Sequence, residues 1–141
     1  RTRTRLAAVQ AIFQINITNA TPVKVIEEFC NYRFKNMSDL QKGTQIDKMF
    51  FRKIVLGTYE KKKNISDIMS KNLKSDWSIE RIDPTMNALL ELGIFELSDN
   101  IDIPSNVIIN EYVSIAALFF NNSEVGFANG ILDALAKSIR E

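Results

Sequence analysis

Three arginines at alternate positions open the chain: Arg1, Arg3 and Arg5. They lead into apolar residues with helical spacing, and positive charge at a helix N-terminus opposes the helix dipole. We therefore expect these side chains to serve something other than helix stability. A guanidinium can form two parallel hydrogen bonds with phosphate oxygens or stack on a base. The cluster predicts contact with a polyanion such as RNA, and a solvated, frayed terminus is the alternative interpretation.

Side chains that suit the reading of single-stranded RNA lie elsewhere in the chain. Gln10, on the same flank of the predicted first helix, has an amide that can bond a base edge, and phenylalanine rings can stack on bases. Phe119 and Phe120 diverge by about 100° on a helix, so one of them should be partly exposed. Phe13 and Phe127 are explained at least as well as core residues. We expect the arginine arm and the end of the sixth helix to grip one RNA strand.

The charges are divided unevenly along the chain. Residues 1–75 contain 15 Lys+Arg and 6 Asp+Glu, a net charge of +9, whereas residues 76–141 contain 3 and 11, a net charge of −8. This asymmetry predicts a basic surface for a polyanion and an acidic surface for another partner, unless the fold mixes the two halves. Lys61–Lys63 is a weaker candidate, because cations at the end of a helix also suit its dipole.

The composition disfavours catalysis and metal binding. The chain has no histidine and a single cysteine, Cys30, so it lacks the commonest general base and the usual zinc ligands. Glu96, Asn110 and Glu111 lie in or beside apolar helices, where they are expected to tie helix ends together, with Arg81 as a candidate partner. The sequence therefore predicts no catalytic residue, no metal site and no cofactor.

Size and hydropathy favour one domain in the cytoplasm. The chain has 141 residues, of which 45% are apolar and 25% charged, as in globular domains. The longest apolar run, residues 115–120, is too short to cross a bilayer. A lone cysteine and the absence of a visible cleavable signal predict a cytoplasmic protein.

Helical spacing recurs throughout the chain and predicts an all-α fold of about seven helices. Thr21 and Asp83 precede prolines and are expected to cap helices. Gly57, Gly93 and Gly130 fall within predicted helices, where close helix–helix approach would explain them. The helices are expected at about 4–17, 22–34, 46–62, 65–73, 84–97 and 104–120, and a last helix is expected from Asn121–Ser123 to about 139. Asn64 is expected to separate the third helix from the fourth. Residues 35–43 are expected to form a polar loop, and Trp77–Ile82 a turn.

Five segments, in this order, resemble the NusB family of transcription antitermination factors and span almost the whole chain. They are RTRLAAVQAIFQ (3–14), WSIERI (77–82), LLELGIFEL (89–97), IPSNVIINE (103–111) and FANGILD (127–133). The sequence departs from the family pattern at three positions. Glu91 replaces a usual Arg, Ser123 lies in a loop that often carries an acidic residue, and Phe13 replaces a frequent Tyr. The resemblance makes Ser123 a further candidate for RNA contact.

The resemblance implies a single RNA-binding domain of two three-helix bundles plus an extra helix, with bundles at about 1–75 and 76–141. It implies binding to boxA-type single-stranded RNA of ribosomal RNA leaders together with the ribosomal protein NusE. The complex would act with RNA polymerase in antitermination. Relatives include monomers and homodimers, so the oligomeric state stays open.

Two other functions are compatible with the sequence. A similar helical module precedes the catalytic domain of some RNA cytosine methyltransferases, where it would target the enzyme to RNA; a reading frame continuing beyond Glu141 would favour that role. The other alternative is a protein-only scaffold whose acidic second half binds a basic partner.

Overall fold

The computed structural model of the protein describes residues 1–34, 46–73 and 81–140. Within these ranges it contains seven helices and no strand, which confirms the predicted all-α fold. The helices are α1 (Thr2–Thr18), α2 (Pro22–Glu28, continued by a π-helical turn at Phe29–Arg33), α3 (Lys48–Glu60), α4 (Lys62–Asn72), α5 (Pro84–Asp99), α6 (Ser105–Phe119) and α7 (Asn122–Arg140).

The helices pack as two groups of three with one additional helix between them. Helices α1, α2 and α3 contact one another, and so do α5, α6 and α7. Helix α4 contacts α3, α5 and α7, while α1 lies along α5 and joins the two groups. This is the predicted arrangement of two bundles plus an extra helix. The expected boundary near residue 75, the loop at 35–43 and Trp77 lie outside the described residues.

Short polar residues occupy the N-cap positions of α2, α3 and α5, and prolines follow them in α2 and α5. The carboxylate of Asp83 accepts hydrogen bonds from two backbone N–H groups in the first turn of α5, at 2.8 and 3.3 Å. Asp47 caps α3 by accepting from the N–H of Phe50 at 3.0 Å. Thr21 occupies the N-cap position of α2, but its side chain makes no cap hydrogen bond. Asn19 ends α1 in the left-handed conformation, with φ of 57°.

The break between the third and fourth helices differs from the prediction. Lys61, not Asn64, separates α3 from α4, and Asn64 lies inside α4. The run Lys61–Lys63 therefore spans the start of α4, where cations oppose the helix dipole. The explanation of this run as a favourable C-terminal charge cluster holds for Lys61, the C-cap of α3, but not for Lys62 and Lys63, which lie in the first turn of α4.

Helix α5 forms the centre of the core, as its nearly continuous apolar character predicts. Every residue from 88 to 97 is buried. Gly57 allows α3 to approach α5 closely, since a Cβ there would lie 2.3 Å from the ring of Phe95. Gly93 similarly faces Leu132, 2.9 Å from the position of a Cβ. For Gly130 the described residues do not support this prediction, because none of their atoms lies within 4 Å of a Cβ placed there.

Candidate nucleic-acid interface

Arg5 lies in the core and not on the surface. Its side chain is 5% exposed, and it donates from Nε and Nη2 to the two carboxylate oxygens of Glu96 at 2.7 and 2.9 Å. Residues two apart on a helix point about 200° away from each other, so Arg3 and Arg5 cannot share a face. The expectation that Arg5 contacts RNA is therefore corrected. The partner of Glu96 is Arg5, not the expected Arg81.

The buried carboxylate of Glu96 joins α1, α5 and α6. The hydroxyl of Tyr112 donates to it, and the Asn100 amide donates at 3.3 Å. Burial, followed by the charge of Glu96 and the hydrogen bond to it, raises the pKa of Tyr112 well above its ordinary value. Burial by itself lowers the pKa of Arg5, but the hydrogen bond and charge of Glu96 outweigh it and raise that pKa. The Arg5 guanidinium consequently stays charged and holds the first turn of α1 against α5.

Arg1 and Arg3 keep their charges at the surface, but in different environments. The Arg1 side chain is 52% exposed; its Nε lies 3.5 Å from the carboxylate of Asp47, and its guanidinium lies 4.2 Å from the ring centroid of Phe50. Arg3 is exposed and has no carboxylate within ion-pairing distance among the described residues. Arg3 is therefore the arginine of the predicted arm whose charge is uncompensated.

A groove between α1 and α6 brings together three of the residues that the sequence singled out. Gln10, Phe13 and Phe119 line it, and its volume is about 380 Å³. Gln14 and Arg33 also line it. Gln10 is exposed, Phe13 is partly buried and the Phe119 side chain is 45% exposed. We name this cavity the aromatic groove, because it combines amide groups with rings on which a base can stack.

A second groove of about 580 Å³ adjoins the first, and Arg3, Leu6 and Leu118 are among its lining residues. We name it the arginine groove. Gln10 and Arg33 line both grooves. No acidic side chain lines either groove in the described part of the chain. The two grooves thus form one surface on which cations, amides and rings are not opposed by carboxylates.

Sequence reasoning missed Arg33, which lies at the junction of the two grooves. It contributed to the basic charge of the first half but carried no pattern of its own. Its position follows from the π-helical turn at Phe29–Arg33, which changes the direction of side chains relative to a regular α-helix. The signal that could have identified it is a basic residue at the exposed end of the second predicted helix.

The remaining three candidates lie apart from the aromatic groove. Phe120 is partly buried against the core, with its ring centroid 6.3 Å from that of Phe119. Ser123 is exposed, and its hydroxyl donates to the side-chain oxygen of Asn121 at 3.0 Å. Phe127 lines a separate groove between α4 and α7, of about 390 Å³. RNA contact by these residues stays a prediction.

The acidic and basic halves of the chain are partly mixed by the fold. Lys53 and Lys61 lie 3.6 and 3.8 Å from the carboxylate of Asp99 on α5. These three residues, with Arg52 and Glu60, line a cleft between α3 and α5. Because the cations of this α3–α5 cleft lie beside carboxylates, its field is much weaker than the charge of the first half suggests.

The described residues offer neither a metal site nor a membrane-spanning helix. No group of three or more His, Cys, Asp or Glu residues in the part of the chain that the structure describes could hold a metal ion. Over the same residues, no helix has the length and apolar character needed to span a membrane.

A helical fold with arginine-flanked grooves, to which no described residue adds a carboxylate, is typical of helical proteins that bind nucleic acids. The NusB family model matches residues 2–137, and the chain belongs to the NusB family. The transcription antitermination protein NusB of Caulobacter vibrioides is 40% identical over 141 residues, which cover 100% of this chain and 95% of the relative. The NusB protein of Sphingopyxis alaskensis is 39% identical over 142 residues, with the same coverage.

Solved structures support the same fold. NusB of T. maritima superposes with a TM-score of 0.78 at 28% identity, covering 97% of this chain and 90% of that one. The antitermination factor NusB in a complex with NusE and double-stranded RNA superposes with a TM-score of 0.76, covering 98% and 96% of the two chains. Its identity is 20%, so this second likeness concerns the fold alone.

Proposed function

We propose that the protein is a transcription antitermination factor that binds boxA-type single-stranded RNA of ribosomal RNA leaders together with the ribosomal protein NusE. It would act with RNA polymerase in the bacterial cytoplasm, by binding and without catalysis. Relatives at 40% and 39% identity are named as antitermination proteins. A solved complex of a protein with the same fold contains NusE and double-stranded RNA, which favours NusE and RNA as the classes of partner. The names of the relatives also favour this role over a methyltransferase module.

One observation supports the RNA-binding part of this proposal: arginines, amides and rings meet in the two adjoining grooves, and no described residue contributes a carboxylate to their lining. Arg3 and Phe13 are ten residues apart on α1, a distance of about 15 Å along the helix axis. That length accommodates more than one nucleotide. Unpaired bases can stack on Phe119 and bond the amide of Gln10, while Arg3 attracts the phosphates.

The proposal is tested by measuring affinity for boxA RNA and for a scrambled RNA, each with and without NusE, over a series of salt concentrations. We expect preference for boxA in the presence of NusE and an affinity that falls as salt rises, because phosphate neutralisation releases counterions. An affinity that is independent of salt, or no preference for boxA under any condition, would contradict the proposal.

Arg3→Ala provides the site-specific test, and Arg52→Ala is its matched control. Both arginines are exposed, but Arg52 lies in the α3–α5 cleft beside Glu60 and Asp99. Arg3→Ala should weaken RNA binding several-fold and reduce the slope of log K against log salt by about 0.7. Binding of NusE without RNA should be unchanged. Equal losses of RNA affinity in the two variants would argue against this surface as the RNA site.

A further inference from the structure

Arg33 occupies a position that no other cation of the described residues shares. It ends the π-helical turn, is exposed, and lines both the aromatic groove and the arginine groove. Gln10, on α1, also borders both. A ligand that extends from one groove into the other therefore lies beside both of these side chains.

The Arg33 guanidinium packs against the aromatic ring of Phe29. Its central carbon lies 4.4 Å from the ring centroid of Phe29. That ring is itself fixed: Phe29 is 1% exposed, it stacks on Phe51 at 5.5 Å, and it meets the edge of Phe34 at 5.9 Å. A guanidinium over a ring keeps the N–H groups at its edge available to other acceptors. Because the side chain is already ordered, binding an anion loses less conformational entropy than it would for a free arginine.

No described residue accepts a hydrogen bond from the Arg33 side chain, in contrast with the side chains of several other arginines. Arg1 and Arg5 pair with carboxylates, and Arg140 donates to the backbone carbonyls of Leu97 and Ile103 at 3.0 and 2.7 Å. Among the described residues, Arg33 has neither an ion pair nor a hydrogen bond from its side chain. An ordered, uncompensated guanidinium at the edge of a groove suits a phosphate, which accepts two parallel hydrogen bonds.

We propose that Arg33 is a phosphate anchor that binds the phosphodiester between two nucleotides of single-stranded RNA, one in the aromatic groove and the next in the arginine groove. This inference rests on the proposed function and adds to it one contact residue and the position of the RNA strand relative to the two grooves. The base in the aromatic groove lies against Phe119, where only an unpaired base can stack. The adjacent nucleotide lies beside Arg3, so two arginines flank it.

The test compares Arg33→Met and Arg33→Gln with Arg52→Met in the full-length chain. Methionine and glutamine keep a stem that can lie on Phe29 but remove the charge. Kd values for boxA RNA and a scrambled RNA are measured over the same salt series. Both Arg33 variants should weaken binding on the order of tenfold, as expected for lost hydrogen bonds to a charged group. The salt slope should fall by about 0.7, and Arg52→Met should leave both quantities unchanged.

A phosphate contact carries no sequence information, so the Arg33 variants should weaken boxA and scrambled RNA by the same factor. Gln10→Ala, which removes a candidate base-edge contact, should instead reduce the ratio between the two affinities. If the Arg33 variants lost the preference for boxA RNA over scrambled RNA while their salt slope stayed unchanged, Arg33 would not be a phosphate contact and the proposal would be overturned. A general structural defect would lower the melting temperature without a specific change of slope.

The outcomes separate this inference from the function on which it rests. If the unaltered protein shows no salt-dependent RNA binding, the proposed function fails. If the unaltered protein binds and Arg3→Ala weakens it, while Arg33→Met and Arg33→Gln retain full affinity and slope, the function stands and the anchor is overturned. If one Arg33 variant fails to fold, the other decides.

Discussion

The two faces of α1 each carry an arginine, but the two arginines lie in opposite environments. On the inner face, Arg5 is buried and its charge is matched by the carboxylate of Glu96. On the outer face, Arg3 is exposed and its charge is not matched among the described residues, next to grooves without acidic side chains. A buried charge requires a partner because desolvation is costly, whereas an exposed charge can stay available for a ligand.

The inner face also orients the outer one. Arg5 fastens the first turn of α1 to α5, and the hydroxyl of Thr4 accepts a hydrogen bond from the backbone N–H of Asp47 at 3.0 Å. These contacts determine the direction in which Arg3 points. We therefore expect substitutions on the inner face of α1 to alter stability and substitutions on its outer face to alter RNA affinity.

The largest effect is expected from Arg5→Met, which removes the charge but keeps much of the side-chain volume. The carboxylate of Glu96 would remain buried without its cation, so the free energy of unfolding should fall by about 3–5 kcal/mol. Denaturant unfolding measures this change. The double variant Arg5→Met with Glu96→Gln is the control, and it should recover part of the loss. A loss below about 1 kcal/mol in the single variant would contradict a structural role for the pair.

An intermediate effect is expected from Phe119→Ala, with Tyr59→Ala as the matched control. The two side chains are 45% and 44% exposed, but Tyr59 lies on α3 and lines neither groove. Loss of base stacking should weaken RNA binding by about 1–3 kcal/mol in Phe119→Ala, with little change in melting temperature. Titration with a labelled boxA RNA measures the difference. Similar affinities for the two variants would show that the exposed ring at the end of α6 does not bind a base.

The smallest effect is expected from Glu91→Gln, on α5, where the side chain faces Asn16 of α1. Glu91 is 3% exposed and accepts from the amides of Asn16 at 2.8 Å and Asn87 at 3.2 Å. Burial raises its pKa, although the hydrogen bond from Asn16 and the charge of Lys62 oppose the rise. The stability that protonated Glu91 contributes is therefore present below its ordinary pKa and is lost as pH rises through the raised value.

Glu91→Gln removes this titration while keeping an acceptor for both amides. The variant should melt at a slightly higher temperature than the unaltered protein near neutral pH, and the difference should disappear in acid. Melting curves from about pH 4 to about pH 8 measure it. A variant that is less stable at neutral pH would indicate that the charge of Glu91 is compensated by its surroundings.

Many of the helices could be predicted because their signals are local. The apolar stripe of α1, the almost wholly apolar α5 and the Asp83–Pro84 start all lie within a few turns of sequence. The junction between α3 and α4 was misplaced by three residues: Asn64 has a weaker helix preference than Lys61, yet the break falls at Lys61, so local helix preference does not decide its position. The π-helical turn has no clear local pattern, and with it Arg33 was missed.

The sequence by itself determined the helical fold, the central helix and a basic first half with aromatic and amide side chains suited to RNA. Only the tertiary structure decided which of the three arginines remained available. The reason is physical. Helix formation depends on neighbours within about one turn, but whether a charged side chain is buried in an ion pair depends on a partner that can be distant in sequence. For Arg5 that partner, Glu96, lies 91 residues away. The meeting of Gln10, Arg33 and Phe119 around one groove likewise exists only in the folded chain.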